Sequence, residues 1–356
     1  MQHFHCENCG QIVHFHNSVC TGCQARLGFI PDERVIAAFE ATPDGVWRRH
    51  AGGQDLWQFC ANAPLCGCNW LLSPGKTDTL CRACQLTTTI PDQTIEANQR
   101  SWRDLESAKR DWLFTILGLA LPLRSRLDDP QQGLTFHFLR QVDADRPVLT
   151  GHDAGEITIN AIESDPVARE RSRLNLHEPY RTLVGHFRHE SGHYYWDRLI
   201  RDSSHLATFR TLFGDERADY AQALADHYEN GPPTDWPAGY VSGYATMHPW
   251  EDWAETWAHY LHMVDLLETA QSWQLTVGAI DAGQVFDDVP DSAVLSAEFS
   301  ALLQAWVPLT LVTNSLTRSL GHADAYPFAL SYKALRKIQF VHEVVTSRSA
   351  QAGAPA

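Results

Sequence analysis

All nine cysteines of this 356-residue chain fall between residues 6 and 84, and the 272 residues that follow contain none. That segregation marks an N-terminal region built around thiols. Cys6-Glu7-Asn8-Cys9 is followed by ten residues and then Cys20-Thr21-Gly22-Cys23. Two CxxC knuckles on so short a connection can turn four thiolates inward on one tetrahedral zinc ion, and Gly10 and Gly22 suit the tight turns this needs. A disulfide framework or a redox CxxC is the competing explanation. A redox pair needs only one CxxC, however, and a reducing compartment disfavours disulfides. A second group, Cys60, Cys66, Cys68, Cys81 and Cys84, offers five thiols for four places. We take Cys60, Cys68, Cys81 and Cys84 as a second structural zinc site with Cys66 as an extra thiol, although spacing does not decide between Cys66 and Cys68. Closed Cys₄ sites keep no coordination position open, so they staple small modules and do not hydrolyse. Such modules serve contact with a protein partner, a nucleic acid or the rest of the same chain.

The formal charge of −15 argues against affinity for nucleic acid or an anionic membrane, which needs a basic surface. The longest apolar run, Leu113–Leu123, has eleven residues and is broken at Pro122, too short to span a bilayer and suited to a core helix. The start, MQHFHCENCG, has neither the basic residues nor the apolar core of a signal peptide. The expectation is a cytoplasmic protein with no membrane association.

After Cys84 the periodicity changes. Trp102, Leu105, Trp112, Leu113 and Ile116 recur at helical spacing with an i,i+4 pair, Glu106 and Arg110, predicting a helix from about Ile95 to Leu121. Leu134–Val142 alternates like a strand, and Gly155–Asn160 (GEITIN) reads as a second one. Further helices are predicted over Leu174–Ile200, Leu206–Phe213, Glu216–Asn230 and Pro249–Glu268, and through most of Ser292–Thr346. The fold class is α+β. The expected domains are a zinc ribbon at 1–30, a second cysteine-rich module at 31–92, a large mainly helical domain with a small sheet at 93–346, and a disordered tail at 347–356.

Residues 189–193 read His-Glu-Ser-Gly-His, the HExxH pattern. With 18 His and 17 Glu in the chain, chance predicts on the order of 0.04 such patterns, so the pentapeptide needs support from elsewhere. On a helix His189 and His193 project from one face and can meet one zinc ion. Glu190 is turned about 100° from them and can accept a proton from a zinc-activated water. A solvated helix with incidental histidines is the bland alternative, but Leu183, Val184, Phe187, Tyr194 and Leu199 give it an apolar face. A catalytic zinc takes three protein ligands, and no histidine or aspartate follows HExxH at the usual short spacing; the position six residues on is Leu199. In the later segment HPWEDWAETWAHYLH, His248 can cap a helix, Pro249 suits its first turn, and Glu251 and Glu255 share a face. Either Glu can reach a metal while the other supports a histidine, and both can equally be surface carboxylates.

The combination GHFRHESGHYYWDRL, FGDERADY and HPWEDWAETWAHYLH after a cysteine-rich start resembles, over nearly the whole chain, the zinc-binding metallopeptidases that carry an N-terminal zinc ribbon. More broadly it resembles the gluzincins, and the seven-residue spacing from Tyr244 to Glu251 is shared with lethal-factor-type toxin peptidases. The resemblance implies a zincin-like domain with Glu251 as third zinc ligand, Glu255 supporting a histidine, and Tyr244 beside the substrate oxyanion. It also implies one catalytic zinc ion beside the two structural ones, and a peptide or protein substrate. Glu190-assisted attack of zinc-bound water on a peptide carbonyl is the expected chemistry, with GEITIN either as the edge strand that aligns substrate or as a structural strand. The ribbons would regulate the peptidase or recruit a protein partner. Two rival readings are a non-catalytic zinc-stabilised adaptor and a zinc amidase acting on a non-peptide substrate. Phe213-Gly214-Asp215-Glu216-Arg217 reads as a capped helix start.

Overall fold

A computed structural model describes residues 2–141, 148–176, 178–277 and 295–352. The chain forms two compact units, Met1–Ser172 and Arg173–Ala356.

The first unit opens with a hairpin of β1 (His3–His5) and β2 (Ile12–His14). A meander follows of β3 (Arg26–Ile30), β4 (Val35–Ala41), β5 (Trp47–Arg49), β6 (Leu56–Phe59) and β7 (Leu71–Leu72), antiparallel in that order. This sheet crosses the boundary expected at residue 30, because β3 pairs with β4. Its core gathers Ile30, Ala37, Phe39, Trp57 and Leu71. Gly28 keeps β3 close to its neighbours, since a Cβ there would stand 2.8 Å from the Phe59 ring. The short helix α1 (Ala63–Cys66) and strand β8 (Thr87–Thr89) lead to α2 (Glu96–Gly118), within the span predicted from periodicity. Trp102, Leu105, Trp112, Leu113 and Ile116 are all buried. Phe114 of α2 meets Phe4, Phe15 and Phe29 of the cysteine-rich region at ring distances of 6.4, 5.0 and 5.9 Å.

A second sheet has the order β10-β11-β9-β8, with β9 at Thr135–Leu139, β10 at Gly151–Asp153 and β11 at Glu156–Asn160. GEITIN is therefore an interior strand, not the expected edge: β11 pairs antiparallel with β10 and parallel with β9. A three-residue β10 has no alternation long enough to announce itself in a sequence. Val142, the end of the predicted strand, lies outside the described residues.

Helix α3 (Pro166–Asn175) spans the boundary between the units. The predicted helix over 174–200 is interrupted, because α4 begins only at Leu183, capped by Thr182, whose hydroxyl accepts from Gly185 N. Pro179 disfavours helix in the residues just before that cap. Beyond α4 (Leu183–Leu199) come α5 (Leu206–Phe213), α6 (Tyr220–Asn230), α7 (Pro249–Ser272), α8 (Ala297–Ser319) and α9 (Tyr332–Ala352); no strand occurs among the described residues of this unit. Asp219, not the Asp215-Glu216 pair, caps α6. Asp215 and Glu216 instead pair with Arg217 and Arg210 in the preceding loop. His248 caps α7 with Pro249 in its first turn, as expected. Helix α9 continues into the segment expected as a disordered tail; residues 353–356 of that tail, and 292–294 at the start of the predicted helical stretch, lie outside the described residues.

The core of the second unit is aromatic. Tyr195 stacks on Trp257 at 4.8 Å, Phe209 on Phe213 at 5.0 Å, and Trp253 meets both phenylalanines and Phe340. One ion pair is buried in it. Lys337 Nζ on α9 donates to Asp252 Oδ2 at 2.6 Å and to the Gly239 carbonyl at 2.9 Å, and Asp252 is fully buried. Burial alone would keep this acid protonated, and it pushes the Asp252 pKa up to about 7 even against Lys337. Removing one member strands a buried charge, so Lys337→Met should cost roughly 3–5 kcal/mol. Denaturation midpoints check this, and adding Asp252→Asn should restore part of the loss.

Candidate metal centres and active site

In the first unit the sulfurs of Cys6, Cys9, Cys20 and Cys23 all lie within 4.8 Å of one another, as do those of Cys60, Cys68, Cys81 and Cys84. Separations of 3.7 Å (Cys6–Cys23), 3.6 Å (Cys9–Cys20) and 3.6 Å (Cys68–Cys81) match the roughly 3.8 Å edge of a tetrahedron with zinc–sulfur bonds of about 2.3 Å. None of the nine cysteines is in a disulfide. In the first cluster the Ala25 backbone N–H chiefly, with the Asn8 side chain, pulls Cys23 down to about 6, while burial pushes Cys6 up to about 12. In the second cluster the neighbouring thiols, Cys60 first, hold Cys84 far below the usual thiol range. Both donor sets fit zinc.

Cys66 stands outside the second tetrad, grouped with Cys84 and Glu106. Here the structure shows what spacing hid. Glu106 and Arg110, which read as an ordinary helix-surface pair, are both buried, with Lys109 beside them. Lys109 Nζ is 2.9 Å from Glu106 Oε1, and Arg110 Nη1 is 3.9 Å from Oε2. Burial opposes the charge of Arg110, yet the negative groups of Cys68, Glu106, Cys66 and Cys84 raise its pKa overall. A tetrathiolate zinc site carries net negative charge, and Arg110 stands where that charge would be buried. Cys68→Ser should remove one equivalent of tightly bound zinc, whereas Cys66→Ser should retain it; zinc released by a thiol-blocking reagent and counted with a chromogenic chelator separates them.

In the second unit, α4 and α7 cross in close contact. Gly192, inside HESGH, lies so near α7 that a Cβ would stand 2.8 Å from Ala254 Cα. Trp253 Nε1 donates to the Gly192 carbonyl at 2.8 Å, and Trp257 Nε1 to Ser191 Oγ at 3.3 Å. The crossing brings the two histidines to the acidic start of α7. Glu251 Oε2 is 3.0 Å from His189 Nε2, and Oε1 is 3.4 Å from His193 Nε2. On its far side His189 Nδ1 bonds Glu255 Oε1 at 2.6 Å, and Glu255 Oε2 accepts from Ser242 Oγ at 2.6 Å. Glu190 is buried, and one of its oxygens lies within 4.8 Å of a nitrogen of each histidine. Of Glu251 and Glu255, only Glu251 approaches the Nε2 atoms of both histidines. The Tyr244 ring, in a 3₁₀ turn (Tyr244–Thr246), is 6.0 Å from that of His189.

The electrostatics call for a cation. Burial alone would neutralise His189, but Glu251 and Glu255 raise its pKa well above the ordinary value. Burial likewise works against ionised Glu251, yet His193 and His189 hold its pKa well below the carboxylate range. Glu190 differs: burial raises its pKa, which suits a group that must take up a proton. Glu251 Oε2 is buried and accepts no well-aligned hydrogen bond among the described residues. Two imidazoles, an orphaned carboxylate oxygen and a carboxylate partner behind one imidazole form a donor set that fits zinc.

The predicted residues His189, Glu190, His193, Tyr244, Glu251 and Glu255 thus come together. Sequence analysis missed three others. Ser242 bonds Glu255, Trp250 places its ring 4.0 Å from that of His193, and Tyr220 donates to Glu251 Oε1 at 2.9 Å. Tyr220 and Trp250 left a trace, as members of FGDERADY and HPWEDWAETWAHYLH. Gly192→Ala should cost about 1–3 kcal/mol of stability by overpacking the crossing, and equilibrium unfolding of the variant tests it.

Comparison with known proteins follows the same division. A family model described as "Putative zinc-binding metallo-peptidase" matches residues 98–344, and a zinc-ribbon domain model matches residues 3–95. Uncharacterized proteins of Mycobacterium bovis and of two Mycobacterium tuberculosis strains are 43% identical over 346 residues, covering 97% of this chain and 95% of theirs. No solved structure matches. No described helix is long and apolar enough to cross a membrane.

Proposed function

Because the chain belongs to this zinc-binding metallo-peptidase family, we propose that it hydrolyses peptide bonds at the crossing of α4 and α7. His189, His193 and Glu251 would hold a zinc ion. The observation that carries this reading is the Glu251 carboxylate facing the Nε2 atoms of both HExxH histidines. Two further zinc ions would occupy the Cys₄ clusters, as structural staples of the first unit.

A zinc ion in this donor set supplies a Lewis acid that polarises a carbonyl and makes water acidic near neutral pH. The chain's own residues do the rest. Glu190, with a pKa raised by burial, takes a proton from the attacking water onto a carboxylate oxygen and delivers it to the leaving amine. Glu255 accepts the Nδ1 proton of His189 and so fixes which ring nitrogen faces the metal, and Ser242 holds Glu255 in turn. Tyr244, beside His189, donates a hydrogen bond to the developing oxyanion. The gluzincin arrangement, with two ligands on one helix and a glutamate on the next, accounts for this geometry without a third histidine.

Glu190→Gln is expected to keep its full zinc content and lose peptide hydrolysis by roughly 10²–10⁴-fold. Metal analysis paired with digestion of a denatured protein substrate tests it. Hydrolysis at the native rate in that variant would sink the base assignment, and zinc without hydrolysis in the native protein would favour a zinc-stabilised adaptor.

A further inference from the structure

Helix α6 has no buried residue, yet its first residue reaches into the metal site. Tyr220 is 36% exposed, so its ring is not a core anchor. The ring leans on His248 and Trp250 at 5.3 and 6.2 Å, and its hydroxyl donates to Glu251 Oε1 at 2.9 Å. Two other contacts hold the segment in place: His248 Nε2 bonds the Ala218 carbonyl at 3.1 Å, and His227 of α6 meets the Tyr244 ring at 5.7 Å. Glu251 therefore has two unlike oxygens. Oε1 is committed to Tyr220, whereas Oε2, 3.0 Å from His189 Nε2, is the buried atom that takes no well-aligned hydrogen bond.

We infer that Tyr220 is a positioning residue for the metal: by holding Oε1 it fixes the rotation of the Glu251 carboxylate and leaves Oε2 for the ion. A glutamate side chain has three rotatable bonds, and an unheld carboxylate must be ordered when the metal binds; a hydrogen bond from an outer group removes that cost in advance. The phenol does so without adding charge. The inference rests on Glu251 being a metal ligand, as proposed above, but not on the protein being a peptidase.

The test measures zinc affinity in the full-length protein. Competition with a chelator of known affinity is followed for the zinc equivalent that remains sensitive after the Cys₄ equivalents are accounted for. Tyr220→Phe keeps the ring and removes only the hydroxyl. It should weaken that equivalent by roughly 10–100-fold, leave the Cys₄ equivalents unchanged, and leave the metal-free protein melting as the native one does. Tyr228→Phe, which alters the most exposed tyrosine of the same helix, should change nothing. Glu251→Ala sets the scale for losing the ligand. A Tyr220→Phe affinity within twofold of native, with Glu251→Ala greatly weakened, overturns the inference alone. Native affinity in Glu251→Ala overturns both it and the ligand assignment, and bound zinc without hydrolysis in the native protein overturns only the peptidase reading.

Discussion

The contact between Gly192 and Ala254 is the constraint on which the second unit's chemistry rests. Two helices that bring histidines of one to a glutamate of the other must approach closely enough for those side chains to meet, and a larger side chain at either position would hold them apart. The absence of a Cβ at residue 192 and a single methyl at 254 permit the approach, while the indoles of Trp253 and Trp257 bond the α4 residues at the contact. HESGH and EDWAE are therefore complementary halves of one joint. Their glycine and alanine matter as much to the geometry as the histidines and glutamates on either side.

Both units handle buried charge in the same way. Around the second cysteine tetrad, Arg110 is sunk into the protein beside the thiols and Glu106, and buried Lys109 pairs with the same Glu106. Around the histidines, Glu190, Glu251 and Glu255 converge on two imidazoles and hold His189 ready to carry positive charge. Isolated charges at such depth would be prohibitive, so each set is stable only as a balanced group.

Much of this was legible from residue order. The first cysteine tetrad, the helix of α2, helix α5 and the capped start of α7 all follow from local spacing, which a sequence records directly, whereas spacing left Cys66 and Cys68 as equal candidates for the second tetrad. Glu251 and Glu255 illustrate the limit. Both lie on one helical face, so spacing nominates the pair without assigning their roles, and only the depth of the crossing separates the carboxylate facing Nε2 from the one facing Nδ1. Glu106 and Arg110 show the same ambiguity in another form: an i,i+4 pair has one spacing whether water or protein surrounds it. GEITIN was misplaced because strand order depends on β10, whose three residues carry no periodic signal. Tyr220 was quoted in FGDERADY without a role, because the contact that gives it one, from the start of α6 to Glu251, joins residues 31 apart in sequence.

The buried pair between Asp252 and Lys337 has a consequence for how the protein is made. Residues 189–255 supply the proposed ligands of the histidine site and their supports, but the counter-charge for the carboxylate next to Glu251 is encoded more than eighty residues later. A ribosome that has delivered the histidines and glutamates has not yet delivered the lysine that makes their helix start tolerable in a dry interior. The start of α7 would then lack its buried counter-charge until α9 has been made, so the crossing that gathers the histidines and glutamates matures only after that helix emerges.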